Sequence, residues 1–211
     1  MTTKLKLTIL AIIYLVFRIS VFRDAVAEYL WRGYLTEGEP LHLLVFIEGT
    51  FSMQQTLFTH TFFFVLYLFV THKPVVTPQF ILRCHPGYFR ELLLLGAKKV
   101  GCYAGFVVAV NSLIPIIYGS LIEINVLYFA LVIRFFLTVY VMYLIYMVLL
   151  FMIKRSIFSI VGVAIVNLIV VAATLATWNE ELQIVIMNVY LFMGLMLLIF
   201  MGVKCRKGDF L

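Results

Sequence analysis

Charge is scarce in this sequence. Of its 211 residues, 12% are charged and 64% hydrophobic, where a soluble globular domain carries about 25% charge. That is too little to coat a water-soluble ball, and with a mean hydropathy of +1.11 the bilayer must be the solvent for most of the chain. Cysteine is equally scarce. Cys84, Cys102 and Cys205 form no CxxC pair and no metal-ligand spacing, so neither a disulfide framework nor a zinc site is expected. Proline and glycine, 5 and 12 residues, nowhere gather into a linker, and no repeat or low-complexity tract divides the chain. One membrane domain over residues 1–211 follows.

The motifs of catalysis are missing too. There is no GxSxG, no HExxH, no pair of acids inside an apolar run and no glycine-rich phosphate loop. The four histidines, His42, His60, His72 and His85, are scattered, and only His60 falls at mid-membrane. The chain is therefore not expected to be an enzyme or to hold a metal or cofactor of its own. With no Walker A sequence, any ATP-driven work would use ATP and magnesium on a partner subunit.

What is present is a series of apolar runs of the roughly 20 residues a membrane helix needs. They lie at about 5–27, 49–71, 97–119, 124–152, 157–177 and 183–203. The fold class read from them is all-α, a polytopic transmembrane bundle of six spans with the N- and C-termini in the cytoplasm. The basic residues set that orientation. Lys4, Lys6, Lys73, Arg83, Arg90, Lys98, Lys99, Lys154, Arg155, Lys204, Arg206 and Lys207, twelve of the 16 Lys and Arg, fall in the segments assigned inside. Asp24, Glu28, Glu37, Glu39, Glu48, Glu123, Glu180 and Glu181 fall outside or at that boundary. The net charge of +6 thus reports topology, and no nucleic-acid partner is expected. Lys4 and Lys6, an apolar run and Ala25-Val26-Ala27 imitate a cleavable signal. Arg18 and Arg23 fall between the run and that site, so the segment is expected to remain as the first span, interrupted by those two arginines.

The principal inner loop, 72–99, has its own pattern. Pro74 and Pro78 keep the approach extended, a turn of helix is expected over 79–84, Pro86-Gly87 stops it, and Tyr88 restarts a helix running into span three. Apolar Phe80, Ile81, Phe89 and Leu92–Leu95 are interspersed with Arg83, His85, Arg90 and Lys98. Two readings fit that mixture: a helix docked along the interface or in a partner's groove, and a basic loop lying on anionic lipid headgroups.

Inside the spans, polar groups are few enough to name. Arg134, about ten residues into span four, carries a charge that costs about 2.5–3.5 kcal/mol near mid-bilayer. It should face a bundle interior, an interface or a wet cavity, with Glu48, Glu123, Glu181 and Asn188 as partners by depth. Its readings are cargo or gating contact, structural ion pair, or snorkelling. His60 neighbours Gln54, Gln55, Thr56 and Thr59, a polar half-span that either lines a path or bonds adjacent helices. Asn111, Asn167 and Asn188 read the same two ways. Ala97, Gly101, Gly105 and Ala109 recur at four-residue spacing and mark a close helix–helix approach, in this chain or to another. Tyr140, Tyr143 and Tyr146 read as packing.

Six spans, both ends inside, no ATP site and an interrupted helix in the first inner loop resemble the type-2 ATP-binding-cassette exporter permeases. Phe89–Val108 (FRELLLLGAKKVGCYAGFVV) is similar to that family's basic-flanked start of span three. The resemblance implies a coupling helix at Gln79–Glu91 that docks on a separate ATPase subunit, with Arg83, His85, Tyr88, Arg90 and Glu91 as contacts. It further implies a second permease chain, like or unlike, and alternating access in a bacterial inner membrane. The mostly apolar interior, with isolated His60, Arg134, Asn111 and Asn188, suits a hydrophobic or amphipathic cargo such as a peptide, lipid or drug. The rival reading from another class is a non-transporting membrane scaffold or immunity protein, which the span-three ladder and basic loop fit equally well.

Overall fold

The computed structural model describes residues 2–33, 56–71, 86–118, 126–153, 155–177 and 179–207. Arg83, His85 and most of the expected first outer loop lie outside them. The described residues are helical apart from short caps and turns. The helices are α1 (Thr3–Trp31), α2 (a π-helical turn Thr56–His60 running into α-helix Thr61–Thr71), α3 (Pro86–Ile117), α4 (Val126–Ile153), α5 (Ser156–Leu175) and α6 (Glu180–Lys207).

Their ends follow from local chemistry. The Thr2 hydroxyl accepts from the Leu5 N–H and the Asn179 side chain from the Glu181 N–H at 2.9 Å, satisfying N–H groups that have no partner within the helix. Pro86 opens α3, two residues ahead of the expected restart, because a proline in the first turn lacks only a donor that would be unpaired anyway. After α1, Gly33 takes φ +70°, the left-handed conformation that closes a helix without a β-carbon penalty.

Among the described residues five helices are long and apolar enough to cross a membrane, and Phe58–Thr71 is a shorter apolar helix. Side chains such as Ile12, Val16, Phe129, Ile133, Ile169, Ile184 and Val189 point outward and exposed. Outward apolar surface on this scale needs lipid, not water, around it. Helix α4 is the hub. It packs against α3, α5, α6 and α2, and Val139, Val141, Met142, Tyr143, Leu144, Ile145, Tyr146 and Met147 are all buried. The expected tyrosine series is packing: Tyr143 and Tyr146 rings lie 6.1 Å apart within this core. Along α3 the buried stripe is Val100, Tyr103, Ala104, Val107, Val110, Asn111 and Ile114, which leaves the Gly105 and Ala109 side of the helix facing out.

Close approach inside the bundle therefore uses other glycines than the ladder. A β-carbon on Gly96 would overlap the Tyr143 ring, and one on Gly194 would overlap Val141 Cγ2, whereas Gly101 and Gly105 have open space there. Valine is stiff about χ1 and yields poorly. Gly194→Ala is expected to cost about 1–3 kcal/mol, the range for overpacking a filled core, while Gly105→Ala is expected to be tolerated. Thermal unfolding of the two variants in the same detergent measures the contrast.

Candidate functional site

The polar side chains of the first three helices converge in the interior of the bundle. On α1, Tyr14, Arg18 and Phe22 form its buried stripe, at the four-residue spacing that puts them on one face. Arg18 is only 1% exposed, and His60 and Asn111 are fully buried. Arg18 Nε donates to Asn111 Oδ1 across 93 residues of sequence. Asn111 Nδ2 in turn donates to Tyr14 Oη at 2.8 Å and to the Val107 carbonyl at 2.7 Å. Both N–H groups and the oxygen of this amide are used, so Asn111 is held in one orientation.

The π-helical turn supplies the third wall. A π turn shifts carbonyls off the usual ladder, and here Tyr103 Oη donates to the His60 carbonyl at 2.9 Å. The His60 ring lies edge-on to Phe135 of α4 at 4.9 Å and 6.3 Å from Tyr14. Tyr14 itself meets Phe63 edge to face at 4.8 Å. One buried cation is thus bonded to an amide that also holds the Tyr14 phenol, with the His60 ring beside Tyr14 among further aromatic rings. Such a cluster cross-bonds three helices, and it places a positive charge where a bilayer would otherwise exclude one.

A crevice of about 470 Å³ opens beside the cluster between α1, α2 and α5. Phe17, Phe58 and Phe62 line it with Ile165, Leu168 and Val171, and the buried Thr59 and Thr61 give it its few polar groups. Its size falls within the roughly 300–1,000 Å³ of small-molecule sites.

The other candidate residues are not brought to this cluster. Arg134 is half-buried on α4, and its carbonyl accepts from Thr138 Oγ1 at 2.9 Å. Asn188 and Glu181 are exposed on α6. Asn167 is helix glue, its Oδ1 accepting from Tyr190 Oη of α6 at 2.6 Å. Arg90 is exposed near the start of α3; Tyr88 and Glu91 stand in the same first turns. Ala97 and Gly101 are half-buried, and Gly105 and Ala109 are exposed. Among the described residues no three His, Cys, Asp or Glu side chains converge as metal ligands.

The sequence reading took Arg18 only as a charge interrupting the first span, and Tyr14 not at all. The available signal was an arginine near the centre of a 29-residue apolar helix with a tyrosine one turn before it on the same face. Asn111→Leu is expected to lower stability by about 1–3 kcal/mol, because it removes one acceptor from a buried charge and the donor to the Tyr14 hydroxyl. Asn111→Asp is expected to recover part of the loss, since a carboxylate accepts from both Arg18 and Tyr14 but cannot donate to the Val107 carbonyl. Unfolding midpoints of the three proteins in one detergent decide it. Compared with known proteins, the chain matches no family model, no curated protein and no solved structure.

Proposed function

We propose that the chain is the permease subunit of an ATP-binding-cassette exporter, with six spans and both termini in the cytoplasm, working as a dimer with a separate ATPase. The observation that carries this reading is the continuity of α3. It runs unbroken from Pro86 to Ile117, so Pro86–Glu91, the described part of the stretch that would dock on the ATPase, and Asn111 belong to one rod, with roughly 30 Å of helix between Glu91 and Asn111 at 1.5 Å per residue. Force applied at the Arg90 end moves Asn111, and Asn111 grips Arg18 and Tyr14 of α1. Closure of the nucleotide domains would thereby shift α3 against α1 and α2, a rigid-body route to alternating access.

The crevice between α1, α2 and α5 is the cargo's side entrance in this reading. Its apolar walls with two threonine hydroxyls suit a peptide, lipid or drug drawn from the bilayer and offer nothing to a small inorganic ion. In this mechanism Arg18, His60 and Asn111 form the gate at its back, with Arg134 half-buried on α4 and Asn188 exposed on α6. The basic end, with Lys4, Lys6, Arg90, Lys98 and Arg155 exposed, faces the cytoplasm of a bacterial inner membrane.

A second reading rests on the outward face of α3. Open space over Gly101 and Gly105 leaves that helix able to accept another membrane helix closely, as a scaffold or immunity protein would.

Arg83→Glu with Arg90→Glu is expected to abolish both copurification of the ATPase in mild detergent and cargo-stimulated hydrolysis. Asn111→Leu is expected to keep the ATPase bound while losing the stimulation. An ATPase that stays bound and stimulated in the double arginine variant sinks the coupling assignment. Loss of a membrane partner on Gly105→Leu, with no ATPase present in the wild-type complex, selects the scaffold instead.

A further inference from the structure

A smaller crevice, of about 170 Å³, opens between α1, α2 and α3 on the side of the bundle away from α5. Leu7, Leu10 and Tyr14 form its α1 wall, and Cys102, Tyr103 and Phe106 its α3 wall. It is well below the roughly 300 Å³ at which drug-sized sites begin, and its walls are apolar.

What gives it chemistry is the residue one helical turn before each wall. Lys4 stands three residues ahead of Leu7, Lys6 four ahead of Leu10, Lys98 four ahead of Cys102 and Lys99 four ahead of Tyr103. Residues three and four apart share a helix face, so Lys4 and Lys6, two residues apart, flank the α1 wall on its two opposite edges, while Lys98 and Lys99 stand side by side one turn before the α3 wall. Helix α1 runs parallel to α3, Tyr14 and Arg18 meeting Asn111 while Phe22 meets Tyr118, so the four lysines share one end of the crevice. Side chains in a helix lean toward its N-terminus, which carries these ammonium groups away from the apolar walls to the membrane surface. Lys4, Lys6 and Lys98 are exposed, and Lys99 is half-buried, its stem lying along the protein as snorkelling requires. Tyr67 Oη donates to the Lys99 carbonyl at 3.3 Å and ties α2 to α3 at this mouth. Among the described side chains the acids Asp24, Glu28 and Glu181 are at the opposite end, and Glu91 stands about two turns before Lys98 at this end of α3.

We propose that this crevice binds one anionic glycerophospholipid of the adjoining leaflet, with the first part of an acyl chain between α1 and α3 and the phosphate diester among Lys4, Lys6, Lys98 and Lys99. Charge complementarity selects the headgroup: four cations against the single acid Glu91 at this end of α3 favour a phosphate bearing net negative charge over a zwitterion. The narrow apolar slot beneath selects a chain. The bound chain packs on Tyr14, whose hydroxyl belongs to the Arg18–Asn111 cluster, so occupancy buttresses that cluster. The assignment is independent of any ATPase.

The test uses the full chain in mild detergent, with phosphatidylglycerol and phosphatidylcholine of identical acyl chains compared by native mass spectrometry and thermal unfolding. One phosphatidylglycerol retained per chain, with a midpoint raised by several degrees and no such effect of phosphatidylcholine, is the expected result. Lys4→Gln, Lys6→Gln, Lys98→Gln and Lys99→Gln together are expected to remove retention and shift alike. Ala11→Phe, which fills the crevice and leaves the lysines in place, is expected to do the same; Cys102→Phe replaces it if that protein does not fold. Equal retention of the two lipids overturns the proposal, as does full retention in the crevice-filled variant, which means surface charge alone. Protection by inorganic phosphate or glycerophosphoglycerol equal to that of the lipid also overturns it, because no chain is then needed. With no ATPase in the assay, none of these failures bears on the export reading.

Discussion

An arginine buried in the interior of a membrane bundle is the constraint around which the first three helices are arranged. Left against lipid, Arg18 would make α1 a poor span, by about 2.5–3.5 kcal/mol on insertion scales. Facing inward and donating to Asn111, it becomes the reason α1 docks in one register. Tyr14 and Phe22, one turn to either side, are carried into the same seam. Asn111 can serve because its own N–H groups are taken by Tyr14 and the Val107 carbonyl, which leaves its oxygen turned to the guanidinium. The polar cluster is specific where lipid-like packing alone would not be, since leucine meets leucine in many registers at similar cost.

The rest of the bundle is held by shape. In a bilayer no hydrophobic force drives one apolar helix onto another, so close packing and buried hydrogen bonds decide which faces meet. Helix α4 collects most of those contacts, with Tyr143 seated over Gly96, Val141 over Gly194, and Tyr128 within 3.0 Å of Ser112. The division of labour is physical: a polar clasp orients α1 against α2 and α3, and steric fit orients α5 and α6 around α4. Two crevices flank the clasp, and the larger lies between α5 and the clasped helices, where a relative motion of the two groups would change its width.

Much of the fold was legible because hydropathy and length act locally. An apolar run long enough to cross a bilayer must satisfy its backbone internally, hence helix, and the runs read at 5–27, 97–119, 124–152, 157–177 and 183–203 all lie largely within observed helices. The run at 49–71 is described only from Thr56, where it begins as a π turn, a distortion that no composition signals. Asn111, Asn167 and His60 stood out as polar groups in apolar surroundings, and two of them proved to be helix ties. Arg18 was legible as a charge but not as a clasp, because its acceptor is 93 residues away. The small-residue ladder on α3 was legible as a periodicity, yet periodicity does not say which face looks inward. In this bundle Val100, Val107 and Asn111 do, and the glycines of the ladder do not.

The sequence alone determined that this chain lives in a bilayer, that it is helical, and where most of its helices run, because those properties depend on the summed transfer energy of neighbouring residues. Its basic residues also determined which helix ends share a charge. Only the tertiary structure decided which polar groups meet, since pairing Arg18 with Asn111 is a choice among several buried partners of similar depth. It likewise decided that Gly96 and Gly194 mark the tight contacts and that four lysines of two helices stand one turn before the walls of one crevice. Those are properties of helix register and rotation, set by packing between segments far apart in the chain.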